Sequence, residues 1–219
     1  MKTERLLLSK GAERLGIDLE EEALERLLLY LAELVKWNRR INLIARDTRE
    51  EQIIETHFLD SLTLLPFLLE QRQAPQHLLD VGSGAGFPGL VLATVLPEVR
   101  FTLAEPRAKR VSFLRHLIRT LRLTNTEVHA ERIEALMPDR QGCFTHITGR
   151  AVAEPALFLP LVRPLVSPET RVVLMLARTE LLASIEQLPS GPWHILDIRT
   201  FNLPFSAASR VLAVVGACL

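Results

Sequence analysis

Hydrophobic residues recur along this chain with two different periods. In the first third the spacing is helical: Leu24, Leu27, Leu28, Leu31, Leu34 and Val35 repeat at i, i+3, i+4 and i+7 and predict a helix over residues 19–37. Asp18 with Glu21 three residues later resembles a capping box at its start. Phe58, Leu62, Leu65 and Leu69 predict a second helix over 57–69, and the arginine-rich stretch 38–49 reads as the polar connection. Pro75 marks residues 71–76 as a linker.

From residue 77 onward, short apolar runs alternate with helical stretches. Strands are predicted at 77–81, 99–104, 127–129, 144–148, 171–176, 194–201 and 211–215, and helices at 86–96, 107–121, 156–166 and 180–188. Alternation of this kind builds a mostly parallel sheet with helices on both faces. No convincing helix separates the last two strands, so they are expected to pair, with the final strand inserted antiparallel. The division expected is a helical cap over 1–75 and an α/β domain over 76–219, packed as one unit.

Composition narrows the class. At 48% hydrophobic and 24% charged, the 219 residues have a globular balance. No apolar run reaches the ~18 residues of a membrane helix, and the longest approach, near Leu90–Leu96, stops at Pro97. Residues 1–10 lack the apolar stretch of a secretory signal, so a cytoplasmic protein is expected. Cys143 and Cys218 have no metal-ligand spacing and read as ordinary buried thiols; no metal site is expected. Net charge is zero, which excludes a global attraction to nucleic acid and leaves only a local patch. One such patch is visible: residues 106–126 contain no acid but carry Arg107, Lys109, Arg110, Arg115, Arg119 and Arg122. Arg39, Arg40 and Arg46 are additional candidates.

The strongest chemical signal lies between the first strand and its helix. Asp80-Val81-Gly82-Ser83-Gly84-Ala85-Gly86-Phe87-Pro88-Gly89 is a glycine turn of G-x-G-x-G form, which lets a ligand approach the backbone where a Cβ would clash. A dinucleotide fingerprint would need glycine at 87, where Phe87 stands. Asp80 directly before the turn suits a cation or a ribosyl group, not a pyrophosphate. The ligand expected is a nucleoside with a positive end, such as S-adenosylmethionine. Glu105, 19 residues after Gly86, is placed to accept from ribose hydroxyls, although Glu105-Pro106 also suits a helix start.

These residues reach a family. Trp37-Asn38-x-x-x-Asn42-Leu43, His57-x-x-Asp60-Ser61, the glycine turn, Lys109-Arg110-Val111-x-Phe113-Leu114 and Arg150-Ala151 occur in order. Together they resemble the bacterial 16S ribosomal RNA guanine-N7 methyltransferases, the glucose-inhibited division protein B family, over nearly the whole chain. The resemblance implies a Rossmann-like class I methyltransferase fold of seven strands, S-adenosylmethionine as cofactor, and small-subunit ribosomal RNA or the small subunit as partner; a monomer is expected, although the sequence does not give the oligomeric state. Gly82, Phe87, Ile133, Glu134 and Arg150 carry over as cofactor contacts, beside Asp80, Gly84, Gly86 and Glu105. Arg150 and then Asn38 are the catalytic candidates; Asn38, Asn42, His57 and Asp60 are weaker than Arg150, since Asn38 also suits a helix C-cap and His57 and Asp60 an ordinary i, i+3 pair at a helix start. Arg39, Arg40, Arg107, Lys109, Arg110, Arg115 and Arg210 are the RNA-binding candidates. The chain departs from the family pattern at Thr145, where an acid is usual, at Ala177-Arg178, where a lysine is expected, and at Arg210-Val211, where Arg-His is usual.

The chemistry fits the residues that are missing. The segment Gly149-Arg150-Ala151 is not the Asn-Pro-Pro-aromatic loop used to methylate exocyclic amines. Neither cysteine is well placed to attack a pyrimidine ring. Guanine N7 already owns a lone pair and has no proton to lose, so alignment does most of the work. Still open at this level are a methyltransferase of another substrate, a silent nucleoside- and RNA-binding module, and, less favoured, a nicotinamide oxidoreductase.

Overall fold

The computed structural model describes residues 2–70, 76–136, 140, 142–150, 154–177, 182, 185 and 193–217. Its strands are β1 (His77–Val81), β2 (Arg100–Ala104), β3 (Thr126–His129), β4 (His146–Gly149), β5 (Arg171–Leu176), β6 (Trp193–Asn202) and β7 (Ser209–Ala217). They form one sheet in the order β3-β2-β1-β4-β5-β7-β6. The first five are parallel, with Leu79 of β1 opposite Thr102 of β2 on one side and Ile147 of β4 on the other. β7 inserts antiparallel between β5 and β6, as expected from the missing crossover helix. Strand order reverses beside β1, which opens a crevice at the carboxyl ends of β1 and β4.

Side chains alternate across the sheet into two cores. Leu78 of β1, Val173 of β5 and Leu212 and Val214 of β7 join one core with Phe101 and Leu103 of β2. Their neighbours Leu79, Val172, Leu174, Val211 and Ala213 face the other, against Phe158 and Leu159 of α8 (Pro155–Val162). The first core is the larger because the N-terminal helices complete it. These are α1 (Lys2–Arg14), α2 (Glu21–Asn38), α3 (Glu50–Ile53), α4 (Asp60–Leu62) and α5 (Leu65–Glu70), with α6 (Gly89–Val95) and α7 (Ala108–Thr120) beneath them. Tyr30, Leu34, Phe58 and Leu62 share this core with Leu90 and Phe113. Trp37 at the end of α2 lies on the rings of Phe113 and His116 of α7, at 5.5 and 5.0 Å, so an aromatic contact ties the N-terminal helices to the sheet's own helices.

Four expectations need correcting. α2 begins at Glu21 with Glu20 at its N-cap and no side-chain cap bond, so the Asp18 capping box does not form. The second predicted helix starts earlier, at Glu50, and passes through a π-helical turn, Ile54–Leu59, between α3 and α4. Cys143 is exposed rather than buried. The 3₁₀ segment Arg163–Leu165 ends what was read as one helix over 156–166, and Pro160 within α8 weakens it. The helix predicted over 180–188 falls largely outside the described residues, as do Cys218 and Arg178. Among the described residues no helix is long and apolar enough to cross a membrane.

Candidate active site at the carboxyl edge of the sheet

The glycine turn leaves β1 through three left-handed residues, Gly82, Gly84 and Gly86, with φ of +66°, +59° and +97°. The amides of Gly82 and Ser83 donate to the Ala104 carbonyl at 2.8 and 3.2 Å, which stitches the turn to the end of β2. Glu105, the next residue, is 2% exposed. Its carboxylate accepts from Gly84 N at 3.0 Å and Arg107 N at 2.8 Å, and the Arg110 guanidinium stands 3.7 Å away. Glu105 thus bonds the backbone just before α7, and it lines the cleft.

Asp80 takes a different place from the one expected. It is fully buried and turned beneath the loop, where its Oδ2 accepts from Gly89 N at 3.0 Å while Oδ1 has no partner among the described residues. Burial pushes its carboxyl up to about 7. Asp80 therefore anchors the start of α6 and does not line the cleft. Gly86 also faces inward: a Cβ there would sit 2.5 Å from Tyr30 Oη and 2.9 Å from Leu90 Cβ. Its smallness admits Tyr30, whose hydroxyl donates to the Ala85 carbonyl at 2.5 Å.

Phe87 is the hub of the next layer. Tyr30 and His57 both stack on its ring, at 5.5 and 4.9 Å, and the Arg150 guanidinium lies 5.1 Å from its centroid. Arg150 leaves the end of β4 and donates to three groups from the helical segment: the Thr56 carbonyl at 2.8 Å, Asp60 Oδ2 at 3.3 Å and His57 Nδ1 at 2.7 Å. The other Asp60 oxygen accepts from Arg210 Nε at 3.0 Å, so one buried carboxylate joins the ends of β4 and β7. Burial raises the Asp60 carboxyl and the two arginines oppose that shift. Burial, helped by the Arg150 charge, pushes the His57 imidazole down to about 3, so it is neutral near pH 7. The π turn makes this convergence possible by carrying Glu55, Thr56 and His57 in succession. Glu55 accepts from the amides of Phe205 and Ser206, both at 2.7 Å, and so holds the β6–β7 connection.

The cleft bounded by these groups measures about 470 Å³, a size suited to a nucleoside ligand. Leu43, Ile44 and Ala45 form its opposite wall. Asn38 places that wall and does not face the cleft: its Oδ1 accepts from Leu43 N at 2.9 Å and Ile44 N at 3.0 Å, folding the chain back after α2. The expectation of a catalytic Asn38 is replaced by a positioning role, because its acceptor is consumed by the backbone.

Other candidates divide. Gly82, Gly84, Phe87, Glu105, Arg107, Arg110 and Arg150 line the cleft. Ile133 is buried in the second core and Glu134 is exposed, on a 3₁₀ turn (Ile133–Leu136) that does not line it. Arg39, Arg40, Lys109 and Arg115 are exposed. Arg210 is bound to Asp60 and is not a free RNA contact. Of the departures from the family pattern, Thr145 lies at the opposite end of the sheet, where its hydroxyl bonds the backbone of His77. Val211 is buried within β7. Tyr30, Glu55 and Thr56 stand at the site without having been expected there. Tyr30 alone left a signal, since the only tyrosine in the chain stands on the apolar face of α2 and a buried hydroxyl needs an acceptor.

Comparison with known proteins agrees with the geometry. The model of the family described as rRNA small subunit methyltransferase G matches residues 23–190. The chain is 42% identical to the ribosomal RNA small subunit methyltransferase G of Desulfotalea psychrophila over 94% of its own length and 95% of that protein's. It is 35% identical to the protein of the same name from Geobacter sp. strain M21, over 96% of each. Among solved structures, the METTL16 methyltransferase domain superposes with a TM-score of 0.59 at 15% identity, covering 86% of this chain and 79% of that one, a likeness of fold. By matched length, identity and fold together, the chain belongs to the rRNA small subunit methyltransferase G family.

Proposed function

We propose that the protein transfers a methyl group from S-adenosylmethionine to N7 of a guanine in the 16S RNA of the small ribosomal subunit. The observation that carries this reading is the cleft at the strand-order reversal, with a glycine turn on one side and an aromatic–arginine cluster on the other. The donor set suits the cofactor. Left-handed Gly84 leaves open backbone, Glu105 offers a carboxylate to ribose hydroxyls, and Phe87 and Leu43 supply apolar surface. Ile133 and Glu134 belong to the adenine end by family resemblance alone. When bound, the cofactor supplies an electrophilic methyl on sulfur.

The residues of the cleft suit an acceptor that needs no base. The His57 Nδ1 lone pair is occupied by Arg150, Asp80 is sealed beneath the turn, and Glu105 accepts two amides. Guanine N7 has a lone pair and no proton, so the protein's task is to hold the ring in line and exclude water. Arg150 serves by fixing His57 and the helical segment at the wall of the cleft. Exposed Arg39, Arg40, Lys109 and Arg115, with Arg107 and Arg110 at the rim, supply phosphate contacts. The Trp37 contact puts the end of α2 beside α7, which gathers these cations near one another. We take the active species to be a cytoplasmic monomer with residues 1–75 as its helical cap.

The test is transfer of labelled methyl groups from S-adenosylmethionine to small subunits, large subunits and total protein from a strain lacking its own enzyme of this family. Label confined to 16S RNA is expected. Label in protein, in a small molecule or nowhere, despite cofactor binding, overturns the substrate or the activity.

A further inference from the structure

His57 contributes more than packing. It lines the cleft, its ring lies nearly parallel to Phe87 at 19°, and its Nδ1 receives a hydrogen bond from Arg150 Nη2 at 2.7 Å. A guanidinium only donates, so Nδ1 must present its lone pair, and the single proton of a neutral imidazole must then be on Nε2. Among the described residues Nε2 has no protein partner, and it is not a buried atom. Arg150 is itself held by the Thr56 carbonyl and by Asp60, which Arg210 holds in turn. The tautomer is thus imposed by a chain of half-buried contacts, and His57, a residue of the cleft lining, carries its one proton on Nε2.

We propose that His57 is a specificity-determining residue whose Nε2–H donates to O6 of the target guanine. On the major-groove edge of guanine, O6 and N7 are adjacent acceptors, whereas an adenine-type edge presents an amino group beside N7. A donor facing O6 leaves the N7 lone pair free for the methyl group and turns an N–H against the amino group of the wrong base. The low proton affinity of the ring keeps this donor neutral, so it recognises a carbonyl without adding a charge that would repel a cationic cofactor. The inference rests on the reading of the protein as a guanine-N7 methyltransferase, and it assigns the choice of base within that reading.

The experiment compares small subunits reconstituted with guanine or with 2,6-diaminopurine at the modified position. The analogue keeps N7 and the 2-amino group but replaces O6 by an amino group. The readout is the ratio of kcat/KM for the two subunits, measured for the wild type, His57→Phe and His57→Gln. Comparing the ratio between proteins cancels the intrinsic difference in N7 reactivity. For the wild type the ratio is expected to favour guanine by roughly 10–100-fold, the discrimination typical of one well-placed base contact. His57→Phe keeps a flat ring on Phe87 but has no donor, and should lower the ratio at least tenfold. His57→Gln offers a carbonyl to Arg150 and an amide N–H to the base, and should keep the ratio within about threefold. The affinity for S-adenosylmethionine should move less than about twofold in both variants. An unchanged ratio in His57→Phe with equal loss on both bases, or a large rise in cofactor Kd, overturns the proposal and assigns the donor to structure or to the cofactor carboxylate. If the wild type methylates neither subunit, the guanine-N7 reading itself fails, which is a different outcome.

Discussion

Removing one oxygen atom, in Tyr30→Phe, isolates the link between the N-terminal helices and the glycine turn. Tyr30 is fully buried, its hydroxyl donates to Ala85 O at 2.5 Å, and its ring stacks on Phe87 at 5.5 Å with the planes 7° apart. Phenylalanine keeps the stacking and the fill of the core, so the loss is confined to the hydrogen bond. The Ala85 carbonyl then faces a buried C–H, and an unsatisfied buried acceptor costs about 1–3 kcal/mol. For a chain of this size, about 2 kcal/mol corresponds to a fall in Tm of roughly 4–8 °C. Because Ala85 stands between Gly84 and Gly86, the loss should also loosen the cofactor turn. A rise in the Kd for S-adenosylmethionine of about tenfold, equivalent to about 1.4 kcal/mol, is expected by calorimetry. A Tm within about 1 °C of the wild type would refute the reasoning by showing that the carbonyl finds another partner. A lower Tm with an unchanged Kd would show that Tyr30 holds the fold but not the turn.

Three further outcomes follow from the same geometry. Gly86→Ala should destabilise by about 2 kcal/mol or more in thermal melts, because left-handed backbone is strained for alanine and the new Cβ meets Tyr30 Oη at 2.5 Å; a normal melt would mean that Tyr30 moves aside freely. Burial raises the Asp80 carboxyl from 3.8 to about 7, so its ionisation disfavours the folded state: unfolding free energy should fall as pH rises from about 4 to 7 and level off above, by about 3 kcal/mol between pH 5 and 8. Asp80→Asn should remove that component in urea titrations at the two pH values, and an identical slope in wild type and variant would contradict the assignment. Exposed Lys109 and Arg115 should bind RNA by charge alone, so Lys109→Ala and Arg115→Ala should each flatten the dependence of log K on log salt by about one unit or less and leave cofactor affinity unchanged; an unaltered slope in both would remove α7 from the RNA interface.

The parallel sheet and the glycine turn were legible in the sequence because both rest on local rules. Short apolar runs alternate with helical periods, and three glycines follow Val81 where the backbone must turn left-handed. Glu105 was legible by its distance from the turn. Asp80 was misread because its position before the glycines fits two orientations, and only the packing of Gly89 beneath the loop selects the inward one. Asn38 was misread because the local hydrogen bonds to Leu43 and Ile44 leave no trace beyond the residue type. The Arg150–Asp60–Arg210 connection joins residues 90 and 150 positions apart, and nothing in composition or spacing selects those pairs. Nor does a periodic pattern announce a π turn, since Phe58 and Leu62 fit an α-helix as well. Thr145, one of the departures from the family pattern, lies at the opposite end of the strands from the cleft once β1 and β4 are in register.

If this cleft methylates one guanine at N7 without a general base, the methyl group must be found on that atom and nowhere else. The most direct test maps N7-methylguanine by chemical cleavage of 16S RNA after reaction of the pure protein with labelled S-adenosylmethionine and unmodified small subunits. Cleavage at a single guanine, one methyl group per subunit, and loss of both in Glu105→Ala are expected. Label on an exocyclic nitrogen or a ring carbon, or spread over many guanines, would contradict this reading.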